Sequence, residues 1–268
     1  MTSCVRLQPA SLAALAVRRK ELVPWLTGKR IVLGARAPVK TSVGCAFGRQ
    51  RGHCVFNPQV RWRYGGGMIA GLPPVARIVR LVTGAPEGFV SVLVYHDIPD
   101  AFVPQFEAQI RFLKKRYAFV DPRAPEVGGD GSRIRVLLTF DDGFQSNKRV
   151  ADAVLNPLGI KAVFFVPSFA MTGLPVNHRQ MLKSVFPSRL ESRIPKDLTF
   201  MGRSELMDLL QAGHVIGAHS RTHRVLATIE SVEELQHEIV DAGDELASLI
   251  GTPIEWFAYP FGNIRVIN

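Results

Sequence analysis

Acidic residues are nearly absent from the first third of this chain. Residues 1–90 carry fourteen Lys and Arg against only Glu21 and Glu87, whereas residues 91–268 carry 19 basic and 21 acidic residues. The net charge of +10 therefore belongs to the leader, and the remainder is close to neutral. Such asymmetry marks some arms that meet nucleic acid or a membrane surface. Here the aromatic interleaving and recognisable fold of a nucleic-acid binder are lacking, which speaks against nucleic acid as a partner. Cysteine is scarce as well. Cys4, Cys45 and Cys54 all precede residue 60, none is spaced C-x-x-C, and an odd count argues against a disulfide framework. Long apolar runs are missing: no stretch approaches the roughly 18 residues of a membrane helix. The apolar stretch 12–17 is short and runs into Arg18, Arg19 and Lys20, which makes a poor signal peptide. A cytoplasmic location is favoured on that ground, with the cell envelope as the alternative. Oligomeric state leaves no signature, and no internal repeat is found.

Periodicity divides what is present. Residues 1–67 show no sustained helix or strand period and end in Gly65-Gly66-Gly67. They are expected to be a basic, poorly ordered leader making few contacts, with one domain over 68–268. Order becomes legible at Val90–Tyr95, a buried strand that ends in His96-Asp97. Further strands are expected over 135–140, 161–166, 215–218 and 255–259. Helices are expected from about Pro104, over 146–156 and 204–211, and after Ser231-Val232-Glu233-Glu234, which reads as a capping box. Behind that box, Leu235, Ile239, Ala242, Leu246 and Leu249 form one apolar face, closed by Gly251. Strands alternating with helices predict a parallel α/β sheet or barrel. The segment 167–199 is too long for an ordinary connection.

The residues that carry chemistry sit where strands end, and in such barrels those ends form the active face. Asp141-Asp142, His219 and Tyr259-Pro260-Phe261 are thus expected to converge, and His96 and Asp97 can reach the same face. After a tight turn helped by Gly143, one aspartate can ligate a cation while its neighbour handles a proton. An isolated Asp-Asp-Gly would ordinarily be a solvated acidic turn. His219 and His223 are four apart, and on a helical turn that spacing puts both imidazoles on one side, as a metal needs. The ordinary alternative is one buried and one surface histidine. Two imidazoles and a carboxylate make an open three-ligand site suited to hydrolytic zinc; nickel, cobalt or iron fit the same ligands. His53, His178, His214 and His237 are not expected to be ligands.

Three of these segments resemble the motifs of the polysaccharide deacetylases of carbohydrate esterase family four, the nodulation-type or chitooligosaccharide deacetylase domain. Thr139-Phe140-Asp141-Asp142-Gly143 matches the first motif, TFDDG. His219-Ser220-Arg221-Thr222-His223 matches the second, H-S/T-x-x-H, and Ala258-Tyr259-Pro260-Phe261-Gly262 resembles the third, R-x-P-Y-G. The resemblance covers about residues 90–268. It implies a distorted (β/α) barrel, a divalent metal, usually zinc, held by Asp142, His219 and His223, and Asp141 as the base. Tyr259, Pro260 and Phe261 would line the substrate and oxyanion region, with the Phe261 N–H as a donor. The implied reaction is hydrolysis of N-acetyl groups from N-acetylglucosamine-containing poly- or oligosaccharides, releasing acetate. Two departures stand out. Ala258 replaces the third motif's arginine, and no counterpart of the family's two later motifs follows before Asn268. The expectation is therefore a barrel incomplete at its C-terminus and lacking the usual histidine acid. Two other functions remain open: a catalytically weak or inactive glycan-binding homologue, and a metal amidase acting on small non-sugar amides.

Overall fold

The structure is a computed structural model that describes the backbone of residues 2–5, 30–32, 90–125, 135–172, 175–185, 194–195 and 197–261. Its strands are β1 (Thr2–Val5), β2 (Arg30–Val32), β3 (Val90–Tyr95), β4 (Ala118–Phe119), β5 (Arg135–Phe140), β6 (Ala162–Val166), β7 (Val215–Ala218) and β8 (Trp256–Ala258). β3, β5, β6, β7 and β8 run parallel in that order, and β2 adds to β8 in parallel. β1 lies antiparallel between β2 and β3. Because β3 also pairs with β5 along its whole length, these seven strands close on themselves. β4 runs beside the first residues of β5.

Helices fill the connections. α1 (Val103–Lys114) follows β3. α2 (Gln145–Val150) follows β5 and widens into a π-type turn over Ala151–Leu155. α3 (Pro175–Val185) and α4 (Arg203–Gln211) lie between β6 and β7. α5 (Val232–Gln236), a second π-type turn (His237–Asp241) and α6 (Ala242–Ile250) join β7 to β8. The expected distorted (β/α) barrel is thus present. Among the described residues no helix is long and apolar enough to cross a membrane.

The period of two along each strand explains why there are two cores. Val92, Val94, Leu137, Val163, Phe165, Trp256 and Ala258 cluster inside the ring. The alternate residues Leu138, Phe140, Phe164, Val166 and Phe257 pack outward against Leu206, Leu209, Ile239 and Leu246 of the helices. β6, Ala-Val-Phe-Phe-Val, is buried at every position because both of its faces are covered. Gly217 makes room inside the ring: a Cβ there would stand 2.5 Å from the Phe165 ring and 3.1 Å from Trp256 Cβ.

Most sequence-predicted elements fall within a residue or two of their places. Half of the expected capping box forms: Ser231 Oγ accepts the Glu234 N–H at 3.2 Å, but Glu234 turns to Arg224 at 2.9 Å. Arg224 offers a charged partner that the Ser231 N–H cannot match. β4 was not foreseen, since two residues carry no period. The long 167–199 segment contains α3. Of the leader expected over 1–67, only β1 and β2 lie within the described residues. The rest of it, its expected poor order and the domain boundary at 67/68 lie outside them.

Candidate metal centre and active site

β5 ends at Phe140, and the next residues reverse direction sharply. The Asp141 N–H still donates to the Tyr95 carbonyl at 2.9 Å, extending the β3–β5 pairing. Asp142 and Gly143 then take left-handed backbone, with φ of 74° and 71°. Asp142 holds a conformation that L residues adopt only at a cost of about 1–3 kcal/mol. Gly143 avoids that cost and also a clash, since a Cβ there would stand 2.9 Å from Val166 Cγ1.

β7 delivers His219, whose N–H donates to the Val166 carbonyl at 3.1 Å. The expected helical turn through His219 and His223 is not what forms. Ser220 and His223 both have left-handed φ, 60° and 59°, and the His223 N–H donates to Ser220 Oγ at 3.0 Å. The loop folds back on itself because the two kinks replace a helix's regular rise. Both rings still reach one carboxylate: His223 Nε2 lies 3.1 Å and His219 Nε2 3.6 Å from Asp142 Oδ1.

The geometry and polarity of this triad fit a cation. All three side chains are buried, with one candidate ligand atom from each lying within 4.8 Å of the others. Two ligand atoms about 2.1 Å from a tetrahedral ion stand about 3.4 Å apart, between the two observed distances. His219 Nδ1 lies 2.9 Å from the Ala258 carbonyl. A carbonyl only accepts, so Nδ1 carries the hydrogen and Nε2 turns its lone pair toward Asp142 Oδ1, itself an acceptor. Two buried acceptors face to face call for a positive charge between them, which a proton or a metal ion supplies, and the two-imidazole, one-carboxylate set suits a metal. Ala258, where the resembling motif has arginine, thus contributes through its backbone.

Burial and neighbouring charge separate the two aspartates. Burial alone would raise Asp142, but the His219 and His223 imidazoles beside it outweigh that effect and hold the carboxyl well below the usual range. Burial dominates at Asp141, whose pKa is raised despite the nearby His219 and His96. One is a fixed anion and the other is inclined to hold a proton, a pairing suited to acid–base work.

His96 stands at the rim, its side chain 33% exposed and its Nε2 4.0 Å from Asp141 Oδ2. Asp97 does not join it at that carboxylate. Its Oδ1 accepts from Ser146 Oγ at 2.7 Å, and burial raises its pKa. Tyr259 and Pro260 follow β8 and are buried. Phe261 follows in left-handed backbone (φ 58°), its ring centroid 4.7 Å from that of His223.

Sequence reading missed the residues that hold these segments. Asn147 Nδ2 donates to the His96 carbonyl at 2.9 Å, and the Ile98 N–H donates to Ser146 Oγ at 3.1 Å. Their signal was faint: two polar residues at the start of a helix expected to bury an apolar face. Glu238 was missed entirely. Of the histidines not expected to be ligands, His214 accepts the Ala162 N–H at Nδ1 (3.1 Å) and donates from Nε2 to Asn156 Oδ1 (3.0 Å), so both its ring nitrogens are engaged away from the triad. His237 is exposed on its helix beside Asp241, His178 falls on α3, and His53 lies outside the described residues.

A sequence profile of the family described as polysaccharide deacetylase matches residues 128–266, just over half of the chain. The chain belongs to the polysaccharide deacetylase family. It is similar to a peptidoglycan-N-acetylglucosamine deacetylase of Bacillus cereus, 26% identical over 178 residues. That match covers 66% of this chain, which spans only 54% of the relative's length. IcaB from Ammonifex degensii superposes with a TM-score of 0.50 at 21% identity, over 64% of this chain and 74% of that one, which shows the fold. The Streptococcus pyogenes deacetylase PplD, solved in complex with acetate, superposes at 0.48 with 18% identity, over 66% and 78% of the two chains.

Proposed function

We propose that this polysaccharide deacetylase family member hydrolyses N-acetyl groups of N-acetylglucosamine-containing poly- or oligosaccharides and releases acetate. The observation that carries the proposal is the convergence of Asp142, His219 and His223 beside a second buried carboxylate, Asp141. Asp142, His219 and His223 hold a divalent cation, and zinc suits two imidazoles and one carboxylate with coordination left open. Such a cation, when bound, lowers the pKa of a water and polarises the acetamide carbonyl.

The chain's own groups do the rest. Asp141 takes a proton from the attacking water, and its Oδ1, buried without a hydrogen-bond partner, is free to accept it. The Phe261 backbone N–H serves as an oxyanion donor, with Tyr259 and Pro260 shaping that side of the site. The leaving amine needs a proton. His96 is the titratable group that faces Asp141 from the half-exposed rim, and we assign it the acid's part.

Metal content and acetate release, measured on the same preparations with chitooligosaccharide and zinc, test this reading. Asp142→Ala should lose the metal. Asp141→Asn and His96→Gln should keep the metal and slow acetate release by about 100- to 10,000-fold. Metal loss in Asp141→Asn together with retention in Asp142→Ala would reverse the two aspartates' roles. Zinc-loaded wild type that released no acetate would favour the binding-only alternative.

A further inference from the structure

The metal-binding loop cannot hold its own shape. Two of its five residues, Ser220 and His223, are in left-handed backbone, and neither is glycine. Conformations of this kind persist only where the surroundings over-determine them. The Ser168 and Phe169 N–H groups donate to the Ser220 and Arg221 carbonyls at 3.3 and 3.2 Å, and the loop's own N–H groups at Arg221 and Thr222 are met by one buried side chain from a distant element. Glu238 is 5% exposed, and its carboxylate faces the middle of the loop. Oε2 accepts the Arg221 N–H at 3.1 Å and the Thr222 N–H at 2.9 Å, while Oε1 accepts from Thr222 Oγ1. The Glu238 carbonyl also accepts the Arg221 N–H, at 3.0 Å. Glu238 lies within the π-type turn His237–Asp241, a wide turn of the sort that recurs at functional sites. A buried carboxylate is costly unless several donors compensate it, and here every such donor belongs to the loop between the two histidines.

We infer that Glu238 is a positioning residue for the metal centre, locking the His219–His223 loop so that both imidazoles meet Asp142. The inference rests on the proposed metal site and adds to it a residue outside all three motifs. It concerns affinity for the cation, not contact with substrate.

Zinc affinity of the full chain, measured by competition with a chromogenic chelator, tests it without reference to catalysis. Glu238→Ala should remain folded by circular dichroism and bind zinc about 10- to 100-fold more weakly, as loss of ligand-orienting partners typically does. Glu238→Gln keeps an acceptor oxygen for the two N–H groups and should recover most of that loss. Glu245→Gln is the control. Glu245 accepts from the Arg221 side chain at 2.9 Å and from Ser168 Oγ at 2.6 Å but meets none of the loop's backbone N–H groups, and this variant, which keeps an acceptor oxygen, should bind zinc like wild type. Should Glu238→Ala fail to fold, Thr222→Val decides, with an expected loss of about 3- to 10-fold for one hydrogen bond. Undiminished affinity in a folded Glu238→Ala, or in Thr222→Val, or an equal loss in Glu245→Gln, would overturn the inference while leaving the metal site intact. A wild-type chain that binds no zinc would sink both.

Discussion

His214 shows what a buried residue outside the site contributes. Burial lowers its pKa to about 4 from the ordinary 6.5. It is held neutral because Nδ1 must accept the Ala162 N–H and so cannot carry a proton. Unfolding restores the ordinary value. Between pH 6.5 and 4 the unfolded chain therefore binds a proton that the folded chain does not, and stability falls as the pH falls through that window. The loss is at most about 3 kcal/mol. His214→Asn keeps an acceptor but no titrating ring. It should be less stable than wild type at pH 7 and lose less on going to pH 4.5, as read from urea unfolding at both values. Parallel losses in the two proteins would assign the acid sensitivity to other groups. At this scale the site was largely legible. Asp141, Asp142, His219 and His223 announce themselves through residue type and spacing. Glu238 does not, because an acidic residue in a helix normally faces solvent and only packing reveals its burial.

Among the described elements, β7 is closely constrained by its neighbours. It is short, it delivers His219, and its Gly217 lies against Phe165 and Trp256 inside the ring. Gly217→Ala should therefore destabilise the fold by about 1–3 kcal/mol through overpacking, although alanine usually suits a strand better than glycine. A lower thermal midpoint would bear this out; an unchanged one would show that Phe165 can swing aside. The strands and helices were readable because alternation of two and recurrence of three to four leave separate traces. The helical turn expected of the histidine loop failed for a specific reason. The i, i+4 spacing is shared by helices and by compact loops, and only the left-handed residues Ser220 and His223 distinguish them. The two π-type turns were equally invisible, since one extra residue in a helix barely disturbs the apolar pattern.

For the molecule as a whole, β1 and β2 close the ring. Residues 1–67 read as a leader with few contacts, yet β1 and β2 stand between β8 and β3. Removing them would bare two strand edges, which is unfavourable for a folded sheet and invites association. A chain beginning at Met68 should have a lower melting midpoint and a greater tendency to aggregate. An unchanged midpoint would show that these pairings contribute nothing and that the leader is dispensable.

Sequence by itself determined the family, the alternation of strands and helices, and the residue types able to hold a cation and move a proton. These follow from local chemistry: hydrophobic period, turn-forming glycine, and the ligand preferences of imidazole and carboxylate. Tertiary structure alone decided which oxygen the histidines meet, which tautomer His219 adopts and which buried acid braces their loop. Each of those depends on atoms that are far apart in the chain. Ala258 supplies its carbonyl from 39 positions beyond His219, and Glu238 meets Thr222 across 16. No local pattern records such meetings, because they exist only once the barrel has brought the strand ends together.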